Sequence, residues 1–156
     1  MEKVRVEDLE NRMGPADVKR PLSRALGTEH VAVNYYELDP GESFAFGYHS
    51  HEAQEELFVV REGTVTFETA EGDVAVGAGE AIRFEPGESQ RGVNAGDERV
   101  VALAIGAPKD PGELSLLREC VQCGTRTPAS VSLTEDRKAI VTTCLECGME
   151  TGRYTE

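Results

Sequence analysis

PGESFAFGYHSHEAQEELFVVREG, residues 40–63, is the stretch whose reading decides the fold. It sets His49, His51 and Glu56 within eight residues and closes on Gly63. Successive side chains on a β-strand point to opposite faces, so a spacing of two places both imidazoles on one side. A carboxylate five residues after His51, past a turn, comes back to that side on the following strand. Two neutral imidazoles and one carboxylate grip a divalent transition ion and leave coordination positions open. Ala45, Gly47, His49 and His51 share one parity, and Phe44, Phe46 and Tyr48 share the other. This predicts a metal-facing side lined by small residues around a cavity. The aromatic side then needs a cover, either the N-terminal arm or a second subunit, and a homodimer is the expected assembly. On the next strand Glu56, Phe58 and Val60 share a face, which carries the carboxylate into an apolar chamber.

Outward from this stretch the chain reads as short strands between turns. Val- and Tyr-rich or alternating segments run over Glu29–Leu38, Glu56–Arg61, Thr64–Thr69, Val74–Val76, Ala81–Glu85, Gln90–Asn94 and Glu98–Gly106. Turn residues separate them at Asp39-Pro40-Gly41, Glu62-Gly63, Ala70–Asp73, Pro86-Gly87 and Gly96-Asp97. Closely spaced strands with no helical period between them predict an all-β barrel or jelly roll. Residues 1–28, broken by Gly14-Pro15 and Pro21, read as an arm with a short strand or helix, and nothing in them proposes chemistry. His30, alone at the head of its strand, is set aside as a surface or structural residue.

With these residues in view, the chain resembles the cupin superfamily of double-stranded β-helix barrels. The first cupin signature is carried by His49, His51, four residues, Glu56, six residues and Gly63, with its leading Gly at Gly41. The second runs through Gly79, Gly87 and Asn94, within GEAIRFEPGESQRGVN. Glu85 stands where that signature has its first Pro, and Gln90 where it has the histidine that serves as fourth metal ligand. The resemblance covers roughly 29–106 and implies a barrel metal site of His49, His51, Glu56 and Gln90. A Gln carbonyl ligates a hard ion but is weaker than imidazole for transition metals, so affinity should fall and one more position should open. Iron, manganese, nickel and zinc all suit the set. The competing reading is a barrel that has lost its metal, with Gln90 serving only hydrogen bonds. Arg83 and Arg91 are weaker candidates for binding a substrate carboxylate. Arg83 alternates with Ile82 and Phe84, and the sequence leaves open which face lines the barrel.

Beyond residues 107–117, read as a linker, lies a second site. Cys120-Val-Gln-Cys123-Gly124 and Cys144-Leu-Glu-Cys147-Gly148 use all four cysteines in two knuckles separated by twenty residues. Four thiolates on two tight turns make a tetrahedral site, each Gly allowing the backbone geometry beside the second sulfur. Ala129–Leu133 and Ala139–Thr143 between them predict a β-hairpin. Residues 118–156 resemble a zinc ribbon, which implies zinc; rubredoxin-like iron uses the same knuckles. Disulfides are the alternative, disfavoured by paired CxxC spacing and by the absence of a signal peptide. From Arg118 onward five cations face six anions, so no basic stripe exists to meet phosphates, and the expected role is a metal-stapled tail packed on the barrel or a partner.

Composition bounds the rest. A chain of 156 residues with 39% hydrophobic residues holds one main domain and a small appendage. There is no apolar run of about 18 residues, and MEKVRVEDLENRMG has no apolar signal core, which predicts a cytoplasmic protein. A net charge of −13 with only four lysines suits adaptation to high salt or an ordinary acidic protein, and in either case it opposes nucleic-acid or anionic-membrane binding. These readings converge on a metal-binding cupin that binds or transforms a small molecule. A non-haem Fe(II) oxygenase is the expected enzyme class, because substrate and O₂ fill the open positions. Bacterial 3-hydroxyanthranilate dioxygenases are likewise cupins with a C-terminal four-cysteine iron site, although their His-to-Glu spacing and second-motif His are not reproduced here. The alternative is a non-catalytic ligand sensor or interaction module; a sugar isomerase finds no acid–base pair to support it.

Overall fold

Alternating apolar and polar residues make half-buried strands, and in this chain they close face to face. A computed structural model describes residues 1–156. Chain order is β1 (Val18–Pro21), α1 (Leu22–Leu26), β2 (Ala32–Leu38), β3 (Tyr48–His51), β4 (Glu55–Glu62), β5 (Thr64–Thr69), β6 (Gly72–Gly77) and β7 (Ala81–Phe84). It continues with β8 (Gln90–Val93), β9 (Val100–Ala107), β10 (Leu114–Cys120), β11 (Thr125–Leu133), β12 (Ala139–Cys144) and β13 (Glu150–Thr155). One sheet has the order β1-β2-β9-β4-β7, the other β13-β12-β11-β10-β3-β8-β5-β6. The all-β expectation holds, and each of the seven strands expected over 29–106 is found within three residues of its anticipated ends.

The core lies between the sheets. Burial alternates strictly along β9, with Val100, Ala102 and Ala104 facing in, and Phe58 and Val60 of β4 stand beside them. Four of the five phenylalanines gather here: Phe44 and Phe58 have ring centroids 4.9 Å apart, Phe58 and Phe67 5.0 Å, Phe67 and Phe84 5.4 Å. Burying such rings supplies much of the apolar stabilisation of a small barrel, about 1.5–3 kcal/mol each. Gly92 lets them close, since a Cβ there would stand 2.7 Å from both Phe44 and Phe67.

Two expectations are corrected. The segment 107–117 is not a free linker, because Leu114–Leu117 begin β10 and pair with His51–Tyr48 of β3. Leu116 is buried opposite His49, so the outer sheet runs without a break from the barrel into the C-terminal hairpin. The aromatic stripe also dissolves. Residues 44–47 form a bend rather than a strand, so parity does not carry through them. Phe44 turns into the core, Phe46 meets Tyr154 at 5.2 Å, and Tyr48 lies under the Arg126 guanidinium at 5.0 Å. The chain's own C-terminal hairpin covers Phe46 and Tyr48, so the stripe no longer calls for a second subunit. Gly47 permits this docking, since a Cβ would stand 2.5 Å from the Leu117 carbonyl oxygen.

The arm is tied down as well. β1 pairs with β2 in the register Lys19↔Tyr36, and Ala16 and Val18 are buried. Arg99 gathers the carboxylates of Asp17, Glu37 and Asp39, the first at 2.7 Å and the second at 3.3 Å. Glu42 accepts the backbone N–H groups of Asp17 and Asp39, both at 2.8 Å. The acidic group Asp17, Asp39 and Glu42 is therefore occupied by a guanidinium and two amides, and it serves as a clamp on the arm.

Candidate metal centre and its cavity

β3 and β4 belong to different sheets, and the site is where their inward faces meet. His49 and His51 project from β3, and Glu56 from β4, where it stands opposite Gly106 of β9 and Phe84 of β7. One donor atom from each of His49, His51 and Glu56 falls within a group whose members all lie inside 4.8 Å of one another. His51 Nε2 is 3.0 Å from Glu56 Oε2. Neighbouring donors around an octahedral ion with bonds of about 2.1 Å lie about 3.0 Å apart, so the spacing fits a divalent ion.

The tautomer of His49 is arranged for ligation. Its Nδ1–H donates to the Gly47 carbonyl at 2.9 Å, which leaves the Nε2 lone pair facing the cavity. Burial pushes the imidazole below its ordinary pKa, and the hydrogen bond to Gly47 and the charge of Glu56 only partly oppose this. The ring is therefore neutral, the form that binds metal. Gln90 pairs with His49 across β3 and β8 and is buried. Its amide nitrogen stands 3.4 Å from His49 Nε2, while Oε1 is buried with no partner. A half-turn of the amide exchanges its O and N and aims the carbonyl oxygen at the point the imidazole lone pair addresses. The orphaned oxygen is the observation that makes Gln90 a fitting fourth donor.

The burial of His49 has a measurable consequence. The unfolded histidine, with a pKa of about 6.5, takes its proton before the folded one does. Stability of the metal-free protein should therefore fall as pH drops below about 6.5 and level off once pH has passed the folded value. Thermal midpoints in chelator from neutral to mildly acidic pH, compared with a His49→Gln variant, test this. The variant should show a shallower slope, and equal slopes would overturn the assignment.

The cavity around these donors measures about 240 Å³. Ala45, Phe46, Phe58 and Leu116 line it, so the expected apolar chamber exists. Three further lining residues carry no signal in the sequence. Gln54 is buried over Gly106 and donates to the Pro108 carbonyl at 2.9 Å. Tyr36 is buried, and burial pushes its phenol up. Lys19 enters from the arm, with Nζ 5.6 Å from the centroid of the Tyr36 ring. The arm thus contributes to the site after all. Only the pairing of β1 with β2, set by contacts distant in sequence, brings Lys19 there.

The two candidate arginines lie elsewhere. Arg83 points out of the barrel, half exposed, donating to Glu55 at 2.6 Å and Glu85 at 3.3 Å. Ile82 and Phe84 take the inward face of β7 instead. Arg91 sits on the opposite face of β8 from Gln90, in a crevice with Tyr48, Arg118 and Arg126 where the barrel meets the hairpin. Neither side chain lines the cavity. Asn94 closes the second signature as a structural residue, its amide donating to the Leu38 and Glu98 carbonyls at 3.0 and 2.7 Å.

The four cysteines converge at the junction of β10 and the hairpin. Cys120 and Cys147 have sulfurs 3.6 Å apart, Cys123 and Cys144 4.0 Å, and all four thiols are free. Sulfurs of a tetrahedral zinc site, with bonds of about 2.3 Å, lie about 3.8 Å apart, so these distances bracket the fit. The two knuckles close identically, Gly124 N–H to Cys120 O and Gly148 N–H to Cys144 O, both at 2.9 Å. Gly124 and Gly148 have φ of 70° and 77°, the left-handed geometry that favours glycine. Thr127 Oγ1, 3.0 Å from Cys144, pulls that thiol down to about 6, while hydrogen bonding to Cys147 pushes Cys123 up to about 12.

No helix is long and apolar enough to cross a membrane. Residues 34–106 match the family model of the cupin domain. No curated protein matches the sequence. Among solved structures, a sugar phosphate isomerase of the cupin superfamily from Silicibacter pomeroyi DSS-3 is 21% identical, over 99% of this chain and 92% of its own, with a TM-score of 0.61. The polyketide cyclase RemF from Streptomyces resistomycificus is 23% identical, over 78% and 88%, with a TM-score of 0.63. A Klebsiella pneumoniae protein with a double-stranded β-helix domain is 18% identical, over 73% and 89%, at 0.59. At such identities the likeness is one of fold.

Proposed function

We propose, from the premise that residues 34–106 carry a cupin domain, that this chain is a metal-dependent cupin acting on a small molecule in its barrel. His49, His51 and Glu56 hold the divalent ion, iron, manganese, nickel or zinc, and Gln90 offers a fourth, weaker donor. The observation that carries this reading is the convergence of three donor atoms from two sheets, within 4.8 Å, on a cavity lined mainly by apolar residues. A non-haem Fe(II) oxygenase is the reaction class we favour, since such an ion supplies O₂ activation at its open positions. The chain's residues do the rest. Gly47 fixes the His49 tautomer, Phe44 and Phe58 exclude water, and Gln54 walls the cavity beside Gly106. A non-catalytic ligand-binding module is the second reading, supported by the amide at position 90 in place of an imidazole. For the four cysteines we propose a zinc ion that holds the hairpin, in a protein of the reducing cytoplasm. Metal analysis of the purified protein followed by oxygen uptake with Fe(II) against catechols, thiols and keto acids tests the reading. Iron in the barrel with O₂ consumption is the expected result. A barrel that takes iron and consumes no O₂ leaves the binding module, and one that stays empty at saturating metal overturns the centre.

A further inference from the structure

The cavity is charged unevenly for so acidic a chain. Of the residues that line it, Glu56 is the one anion and Lys19 the one cation. Lys19 is held from behind: its N–H donates to Asn11 Oδ1 at 2.7 Å, and its carbonyl accepts from Arg12 N–H at 2.8 Å. No carboxylate lies within 4.0 Å of its ammonium, which projects beside the buried Tyr36 ring. Arg5, Arg83, Arg99, Arg126 and Arg153 are paired with acids; Lys19 is among the cations that are not, and it is the one that lines the cavity.

Charge balance then decides what the cavity accepts. A divalent ion on two neutral imidazoles and one carboxylate leaves a net positive centre, and Lys19 adds a second positive charge across the same chamber. Unbalanced charge in apolar surroundings is costly, and a neutral occupant would leave it unbalanced. A volume of about 240 Å³ falls below the ~300–1,000 Å³ of drug-sized ligand sites, so the occupant is small.

We propose that the barrel selects a small anion, a carboxylate or phosphate ester of a few carbons, whose charged group pairs with Lys19 while its other end faces His49, His51 and Glu56. Both the placement of that second end and the surplus of positive charge rest on the metal reading, since without the ion Lys19 and Glu56 balance; the absence of a carboxylate beside the Lys19 ammonium does not. The amide of Asn34 and the hydroxyl of Tyr36 are the neutral hydrogen-bonding side chains that β2 contributes to the cavity lining.

The test titrates the full chain calorimetrically with malonate, glycerol 3-phosphate and neutral glycerol, both metal-stripped and manganese-loaded, with metal content measured alongside. One or both anions should bind at millimolar concentration and glycerol should not. Lys19→Met should weaken that binding by about tenfold or more at unchanged metal content, and Lys19→Arg should restore most of it. Whether malonate or the phosphate ester suffers the larger loss identifies the anionic group. Equal anion affinity in Lys19→Met, glycerol binding as tightly as the anions, or no anion binding to the wild-type protein would each overturn the proposal. Anion binding through Lys19 in a barrel that takes no metal would instead sink the metal reading and leave this one standing.

Discussion

Cys144→Ser should empty the four-thiolate centre and unfold the C-terminal hairpin while the barrel stays closed. The argument is one of scarcity. After Cys120 the chain buries only Thr127, Ala139, Thr142 and Cys144, while Val121, Val131, Leu133, Leu145 and Met149 stay exposed. So little apolar burial cannot offset the entropy of ordering β11, β12 and β13. A bound zinc ion supplies about 10–16 kcal/mol in comparable small modules, more than enough to decide the fold. Cys144 is the informative position, because the Thr127 contact that draws its thiol down to about 6 makes it a thiolate at neutral pH, ready for the ion. Hydrogen exchange read by mass spectrometry should show the amides of β12 and β13 unprotected in the variant and in chelator-treated wild type, with β4 and β9 unchanged. The contacts of Phe46 with Tyr154 and Tyr48 with Arg126 should go with the hairpin. A hairpin that keeps its protection with the metal removed would show that packing against the barrel suffices.

The second large effect belongs to the barrel. His49→Ala or His51→Ala should lower manganese affinity by more than about a hundredfold, beyond the 10–100-fold typical of losing a supporting contact. Glu56→Gln should be comparably severe, since it deletes the only anionic donor of the set. Manganese is the probe of choice because thiolates do not compete well for a hard ion, so the cysteine centre stays silent. Gln90→His should move the other way, putting an imidazole in place of the amide that now stands 3.4 Å from His49 Nε2 and raising affinity for softer ions. Competition titrations with circular dichroism as a fold control measure all four. Unchanged dissociation constants in the His49 and Glu56 variants would place the ion elsewhere.

Much of this was legible along the chain. The period-two spacing of His49 and His51, and the shared face of Glu56, Phe58 and Val60, survive because β3 and β4 are regular where those residues lie. The aromatic stripe failed four residues earlier for the same reason inverted: 44–47 bend, and alternation says nothing about a bend. Leu114–Leu117 looked like a patch in a linker because four residues are too short a signal to distinguish a strand from a connection. Arg83 was ambiguous because either face of β7 suited it, until Glu55, on the neighbouring β4, provided its partner.

What the amino-acid order determined alone is the shared side of His49, His51 and Glu56 and the strand period, because both are written in spacings of a few residues. Which residues besides the donors enter the cavity was decided by tertiary structure. Lys19 lies thirty residues before His49, and nothing local points it there. The pairing of β1 with β2 and the Arg99 clamp do so, through contacts that close only when the whole barrel has formed.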